Sequence, residues 1–234
     1  FYFICFYSPP SNSDTDTPPT FHVGGFKVND FAYQLQNMEL NEISTSLYDL
    51  IIMDYSSDGT EQNEYTSSQV KYMKEGNEKK LLISYMSIGE AENYRFYWKE
   101  EWDSNEDGIP DVSAPEWLDN ENPEWEGNYK VKYWDPDWQK IIYGTPNSYL
   151  DKIISAGFDG CYLDIIDAFE YYEEERPTAQ QDMINFVIAL SNYAKSIRAN
   201  FLIISQNGES LLEHDDYRGA IDGIGREDVY FDGN

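Results

Sequence analysis

Asp164 closes the short run GCYLDI at residues 160–165, and the residue types around it limit what it can do. Period-two alternation places Tyr162 and Asp164 on one face of a strand and Cys161, Leu163 and Ile165 on the other. With the apolar face against helices, the carboxyl points to the axis of a barrel near its mouth, where an ionisable group is costly unless it is paired or used. A buried arginine partner is the bland explanation, yet the chain has only 16 Lys and Arg against 44 Asp and Glu. Glu209 follows a second apolar run in SQNGE. There Gly208 lets the backbone turn, and Gln206 and Asn207 supply amides that hold a hydroxyl or orient a carboxylate. Glu209 either works beside Asp164 or opens the helical stretch SLLEHDDY as an acid favoured by the helix dipole. Two carboxylates on neighbouring strand ends are the minimum equipment for cutting a glycosidic bond: one protonates the leaving oxygen while the other attacks or activates water.

Further acids stand at or near strand ends, namely Asp54, Glu90, Asp167 and Glu227, and each could orient or replace a member of the pair. Asp54, Tyr55, Tyr85, Glu90, Trp134, Asp135 and Gln206 are secondary candidates for sugar contacts. A Ser-His-Asp or Cys-His constellation has little support, because His22 lies just after a linker and His214 in the acidic stretch EHDD. Scarce histidine and unpaired cysteine also disfavour a zinc site, and no cofactor is required. The segment DSNEDGIPD places Asp103, Asn105, Asp107, Gly108 and Asp111 at positions 1, 3, 5, 6 and 9 of a calcium loop, with the Ile109 carbonyl at position 7. The twelfth position is Ala114, so Glu116 would have to substitute for the usual glutamate; the alternative to a structural calcium is a solvated acidic turn.

Six apolar runs position these groups: residues 31–35, 50–55, 81–89, 160–165, 201–205 and 220–225. Helical stretches separate them. Thr178 and Gln181 form a capping box ahead of a helix whose Met183, Phe186, Val187, Leu190, Ala194 and Ile197 share a face. Asp135-Pro136 starts a second helix through Trp138, Ile141 and Ile142, and Thr145-Pro146 a third that stops at Gly157. Alternating strands and helices with polar strand ends predict an α/β fold of the (β/α)8 TIM-barrel type. The competing open sheet loses support, since no G-x-G-x-x-G follows the first strand and no phosphate-binding loop occurs. Only six of eight strands are visible, so a barrel incomplete at its C-terminal side is expected. An aromatic, acidic insertion at residues 94–134 holds Trp98, Trp102, Trp117, Trp125, Tyr129, Tyr133 and Trp134, which either line a groove or build a small aromatic core.

Residues 1–20 read as a tail and linker, with a weak resemblance to the end of a signal peptide in FYFICF, and residues 21–234 as a single barrel domain. The charge of −28 disfavours nucleic acid and suits a cationic partner or an extracellular setting. No run of about 18 apolar residues occurs, so no membrane span is expected. Cys5 and Cys161 are not expected to pair, and the chain is expected to be a monomer.

The segments FAYQLQN, DLIIMDYSSDG, LLISYMSIGEAENYRFYW, PEWLDNENPEWEGNYKVKYWDPDWQ, AGFDGCYLDIIDAFEYY and SQNGE together resemble the endo-α-1,4-polygalactosaminidase-like glycoside hydrolases of family 114, in particular their prokaryotic extracellular branch. The resemblance runs from about residue 30 to residue 228. It implies a β/α barrel, a secreted or cell-surface location and hydrolysis of α-1,4-linked galactosamine polymers. The family's catalytic Asp falls on Asp164 and its catalytic Glu on Glu209, with Leu163-Asp164-Ile165 where other members carry Pro-Asp-Asn. The resulting expectation is an endo-acting hydrolase of a cationic polysaccharide, with Asp164 as nucleophile or base and Glu209 as general acid. The alternatives are a non-catalytic carbohydrate-binding barrel and a hydrolase of a different glycan.

Overall fold

The computed structural model describes residues 21–23, 25–75 and 80–227. The signal-peptide, linker and Cys5 expectations lie outside them. A hairpin of β1 (Phe21–Val23) and β2 (Phe26–Val28) comes first. Then follow β3 (Phe31–Tyr33), α1 (Leu40–Thr45), β4 (Leu50–Met53), α2 (Ser67–Lys74) and β5 (Leu81–Ser87). β6 (Glu90–Glu92) leads into the insertion, which therefore begins at residue 90 rather than 94 and adds β7 (Leu118–Glu121) and β8 (Asn128–Val131). After it come α3 (Pro136–Ile142), α4 (Tyr149–Ala156), β9 (Gly160–Asp164), α5 (Ala179–Ile197), β10 (Leu202–Gln206), α6 (Asp215–Ala220) and β11 (Gly223–Gly225).

Strands β3, β4, β5, β9, β10 and β11 pair in parallel and in chain order, as successive βα units winding one way must. The sheet curls. Tyr33 on β3 and Tyr162 on β9, with β4 and β5 between them in the sheet, meet edge to face at 5.6 Å between ring centroids. The result is an incomplete β/α barrel of six described strands.

Alternation along the strands sorts the side chains into two cores. Leu50, Ile52, Leu81, Ile83, Tyr85, Tyr162, Leu202 and Ile204 face inwards, joined by Val23 and Val28 of the hairpin. Ile51, Met53, Leu82, Cys161, Leu163 and Ile203 face outwards onto Val70, Leu150, Ile153, Val187 and Leu190 of the helices. Burial on that outer side drives the Cys161 thiol far above its ordinary pKa, so it stays protonated and packs as a small apolar group.

Two helix starts and one strand start differ from the sequence reading. Thr178 makes no side-chain cap, because its hydroxyl donates to Asp182 at 2.8 Å; the capping box in this chain joins Thr66 and Gln69 ahead of α2. α4 begins after Ser148 rather than at Thr145-Pro146, and ends as expected at Gly157 with φ 98°. Ala220 ends α6, which shortens the last barrel strand to three residues.

The insertion folds as a three-stranded antiparallel sheet, β6-β8-β7. Most of its aromatics make a core of their own: Trp98 lies 4.6 Å from Tyr129, Trp102 5.3 Å from Trp117, and Trp117 4.8 Å from Trp138 on α3. The Trp138 indole donates to the Ile88 carbonyl at 2.9 Å, which ties this core to the end of β5. The acidic loop wires itself together. Asp103 accepts from Asp107 N, Gly108 N and the Tyr129 hydroxyl, Asp111 accepts from Ser104, and Asn105 donates to Asp107 while Asp107 accepts from Ile109 N. Among the described residues no group of three or more His, Cys, Asp or Glu side chains is placed to hold a metal ion.

Gly160 opens β9 where a Cβ would stand 2.4 Å from the Leu202 carbonyl oxygen. Gly160→Ala is therefore expected to cost about 1–3 kcal/mol in urea unfolding. Gly219→Ala, in α6 with nothing within 4 Å, is expected to be neutral or stabilising by up to about 1 kcal/mol.

Candidate active site

The C-terminal ends of the barrel strands surround a cleft of about 430 Å³. β3 contributes Tyr33, β4 is followed by Asp54, β5 contributes Tyr85, β9 ends in Asp164, β10 ends in Gln206, and Glu227 follows β11. The insertion closes one side with Glu92, Tyr94, Arg95, Asn122, Glu124, Trp125, Glu126 and Asn128. Asp167 and Tyr171, from the turn after β9, close another.

Asp164 is 9% exposed. Its Oδ2 accepts the Tyr85 hydroxyl at 2.6 Å, and its Oδ1 accepts the backbone N–H of Ile165 at 2.8 Å. Burial pushes its carboxyl up to about 7; the two hydrogen bonds pull the other way, and the charges of Glu227 and Glu92 add to the rise. Burial and the neighbouring Asp164 keep the Tyr85 phenol protonated, so it stays a donor. The chain leaves β9 abruptly. Ile165 has φ 57°, a left-handed conformation that a β-branched residue adopts only under constraint, and Asn207 and Gly208 repeat the turn after β10 with φ 57° and 66°. These breaks end each strand within two residues of its cleft side chain. Gly89 allows the first one, since a Cβ there would lie 2.2 Å from the Ile165 carbonyl oxygen.

Below the cleft sits a buried ion triad that sequence reading missed. Arg95 donates to Asp54 at 3.0 Å from Nη1, and to Glu92 at 2.6 Å from Nε and 3.0 Å from Nη2. Its guanidinium lies 4.8 Å from the Tyr94 ring centroid, 5.6 Å from Tyr55 and 5.8 Å from Tyr85. Burial pushes Asp54 up to about 6 despite the opposing Arg95 charge. The triad joins the end of β4 to β6. Nothing in the periodicity of EAENYRFYW marks Arg95; the one available signal was that a strand-end acid such as Asp54 requires a cation.

The predicted residues separate clearly. Asp164, Asp54, Tyr85 and Gln206 line the cleft together, and the Gln206 Oε1 is buried without a hydrogen-bond partner. Glu90 is fully buried one layer behind, accepting the Asn122 side-chain amide at 2.8 Å. Tyr55 packs edge-on against Tyr149 at 5.0 Å, Trp134 packs on Tyr172 at 4.9 Å and under Arg176 at 4.4 Å, and Asp135 caps α3; none of the three lines the cleft. Glu209 also lies outside the lining. It opens a 3-10 turn behind Gly208 and is half-buried, with its Oε1 closed to solvent against the more exposed Arg226 at 2.6 Å. Glu227 is the carboxylate that shares the cleft with Asp164 at that side, held by Asn207, which accepts the Glu227 N–H at 3.1 Å.

Two outcomes follow from these electrostatics. A folded-state pKa near 7 against 3.8 unfolded means that the folded protein binds the extra proton, so Asp164 lowers stability as pH rises from about 4 to about 7. Asp164→Asn is expected to exceed wild type at pH 8 by roughly 2–4 kcal/mol in denaturant unfolding, the gain shrinking towards zero near pH 4. Arg95→Met leaves two buried carboxylates without their cation and is expected to cost about 3–5 kcal/mol by the same measurement.

The model of glycoside-hydrolase family GH114 matches residues 10–221. An uncharacterised protein of Methanocaldococcus jannaschii is 47% identical over 210 residues, covering 87% of this chain and 57% of its own length. One from Thermotoga maritima is 45% identical over 188 residues, covering 79% and 54%. The chain thus spans about half the length of the curated relatives it matches. Among solved structures, the glycoside hydrolase domain of PelA from Pseudomonas aeruginosa superposes with a TM-score of 0.54 at 17% identity, over 83% of this chain and 64% of that one; this likeness shows the barrel fold. Matched to the family over most of its length, the chain belongs to glycoside-hydrolase family GH114.

Proposed function

We propose that this barrel is the catalytic part of an endo-acting glycoside hydrolase that cuts α-1,4-linked galactosamine polymers. The observation that carries the reading is Asp164, a carboxyl held at a pKa near 7 by burial, set at the end of a central barrel strand and open to a cleft that it shares with Glu227. A carboxyl poised at that pKa gives or takes a proton at neutral pH. Hydrolysis of a glycoside needs a second carboxylate across the bond. Glu227 fills that role better than Glu209, because it lines the cleft and its charge reaches Asp164, whereas Glu209 is engaged by Arg226 outside the lining. Gln206, with its unpartnered oxygen, would accept a hydrogen bond from a substrate hydroxyl or amine.

Charge supports the cationic substrate. Asp54, Glu92, Glu124, Glu126, Asp164, Asp167 and Glu227 line the cleft against a single guanidinium, Arg95, already shared by Asp54 and Glu92. Low-dielectric walls focus such a field onto a polymer carrying free amines.

Mass spectrometry of products released from polygalactosamine by the full-length protein tests the reading. Short galactosamine oligomers are expected from wild type, with release lowered about a thousandfold by Asp164→Asn and by Glu227→Gln and less than tenfold by Glu209→Gln. No release by folded wild type overturns the hydrolase reading, and a dead Glu209→Gln beside an active Glu227→Gln returns the second role to Glu209. For the cationic polymer, KM is expected to rise severalfold between 0.05 and about 0.5 M salt, as screening of a steering field requires.

A further inference from the structure

We propose that the turn joining β7 and β8 is a sugar-binding subsite, in which Trp125 stacks on the face of one amino-sugar unit while Glu124 and Glu126 receive its ammonium group. The proposal rests on the hydrolase reading of the cleft and adds to it a place where the polymer is gripped away from Asp164 and Glu227.

Of the six tryptophans in the chain, five are buried or half-buried; Trp125 is 59% exposed and stands in the cleft lining. The difference arises from position. Trp98, Trp102, Trp117 and Trp138 build the core of the insertion and Trp134 packs on Tyr172, whereas Trp125 sits at the tip of the turn and leaves its ring to solvent. A large apolar face held open in a polar cleft matches the C–H face of a pyranose, and an indole also attracts a cation set over it.

The turn is preorganised. Asn122 N–H donates to the Asn128 carbonyl at 2.7 Å, Trp125 N–H to the Asn122 carbonyl at 3.1 Å, and Asn128 N–H to the Trp125 carbonyl at 3.1 Å. The Asn122 side chain accepts Glu124 N–H at 3.1 Å and donates to the fully buried Glu90, which fixes the turn on β6. Gly127 has φ 86°, and a Cβ there would strike the Asn93 side chain at 2.8 Å, so the bend admits only glycine. A loop fastened in this way presents its side chains with little entropy left to lose on binding.

Glu124 and Glu126 flank the indole, both exposed and both in the lining, and among the described residues neither is in an ion pair. Two like charges on the chain neighbours of an exposed indole in one cleft are relieved by a cation that carries an apolar body. An amino sugar is that ligand; a neutral or N-acetylated sugar would satisfy the indole and leave the carboxylates as they are.

Binding of a galactosamine hexamer and of its N-acetylated counterpart to the full-length Asp164→Asn protein, read by calorimetry, tests the subsite without turnover. Trp125→Ala in that background is expected to weaken both hexamers about tenfold, and Trp125→Phe to restore most of the loss. Glu124→Gln with Glu126→Gln is expected to weaken the amine form about tenfold and to leave the acetylated form within twofold, the difference fading at about 0.5 M salt. Unchanged affinity with Trp125→Ala, or equal loss for both hexamers in the double glutamine variant, overturns the subsite while wild-type cleavage leaves the hydrolase reading standing. Binding by neither hexamer overturns the subsite, and product release by Asp164→Asn equal to wild type counts against the hydrolase reading alone.

Discussion

Arg95 is the constraint on which the cleft depends. Its guanidinium, nearly closed to solvent, is shared by Asp54 at the end of β4 and Glu92 on β6, with Tyr94, Tyr55 and Tyr85 around it. One cation against two buried carboxylates leaves the floor of the cleft anionic, and the cation cannot leave without stranding both acids. A buried ion cluster of this kind contributes little net stability compared with apolar packing, because desolvation offsets most of the attraction. Its effect is positional. It fastens the insertion to the barrel mouth, and through the Tyr85 ring it reaches the hydroxyl that holds Asp164.

The chemistry of Asp164 then follows from where strand, turn and insertion meet. β9 carries the carboxyl inwards by alternation, and the left-handed Ile165 turns the chain away immediately after it, so little main chain stands between Asp164 and the cleft. The insertion and the turn after β9 remove water from its surroundings, and Glu92 and Glu227 bring like charge. Desolvation dominates this sum and sets a pKa near 7. The cost falls on folding at neutral pH, because water would have stabilised the charged carboxyl better.

Much of the barrel was legible in the sequence because barrel strands obey a simple rule. In GCYLDI, LLISYMS and FLIIS the inward and outward residues alternate, and the six predicted runs are the six parallel strands, in chain order. The candidate site was legible where it sits on those strands or directly at their ends, as Asp164, Tyr85, Gln206 and Asp54 do. Arg95 and Trp125 belong to an insertion without a long periodic pattern; Arg95 pairs with Asp54, 41 residues away, and the turn that carries Trp125 is fixed through Asn122 on Glu90, 32 residues away, separations that spacing does not reveal. Tryptophans of the insertion look alike in sequence; burial by their neighbours separates Trp117 from Trp125. Glu209 and Glu227 likewise both follow strands. Glu209 follows the left-handed Asn207 and Gly208 and is not among the cleft-lining residues, while Asn207 accepts the Glu227 N–H and Glu227 lines the cleft. In DSNEDGIPD the carboxylates of Asp103 and Asp107 close turns on the loop's own amides.

The central claim is that the cleft over Arg95 is where a polysaccharide is cut between Asp164 and Glu227. The most direct measurement is a crystal structure of full-length Asp164→Asn with a galactosamine oligomer bound. The account predicts a glycosidic oxygen within hydrogen-bond reach of either the residue at position 164 or Glu227, with the oligomer running through the cleft. An oligomer bound elsewhere on a well-ordered barrel, with this cleft filled only by water, would contradict it.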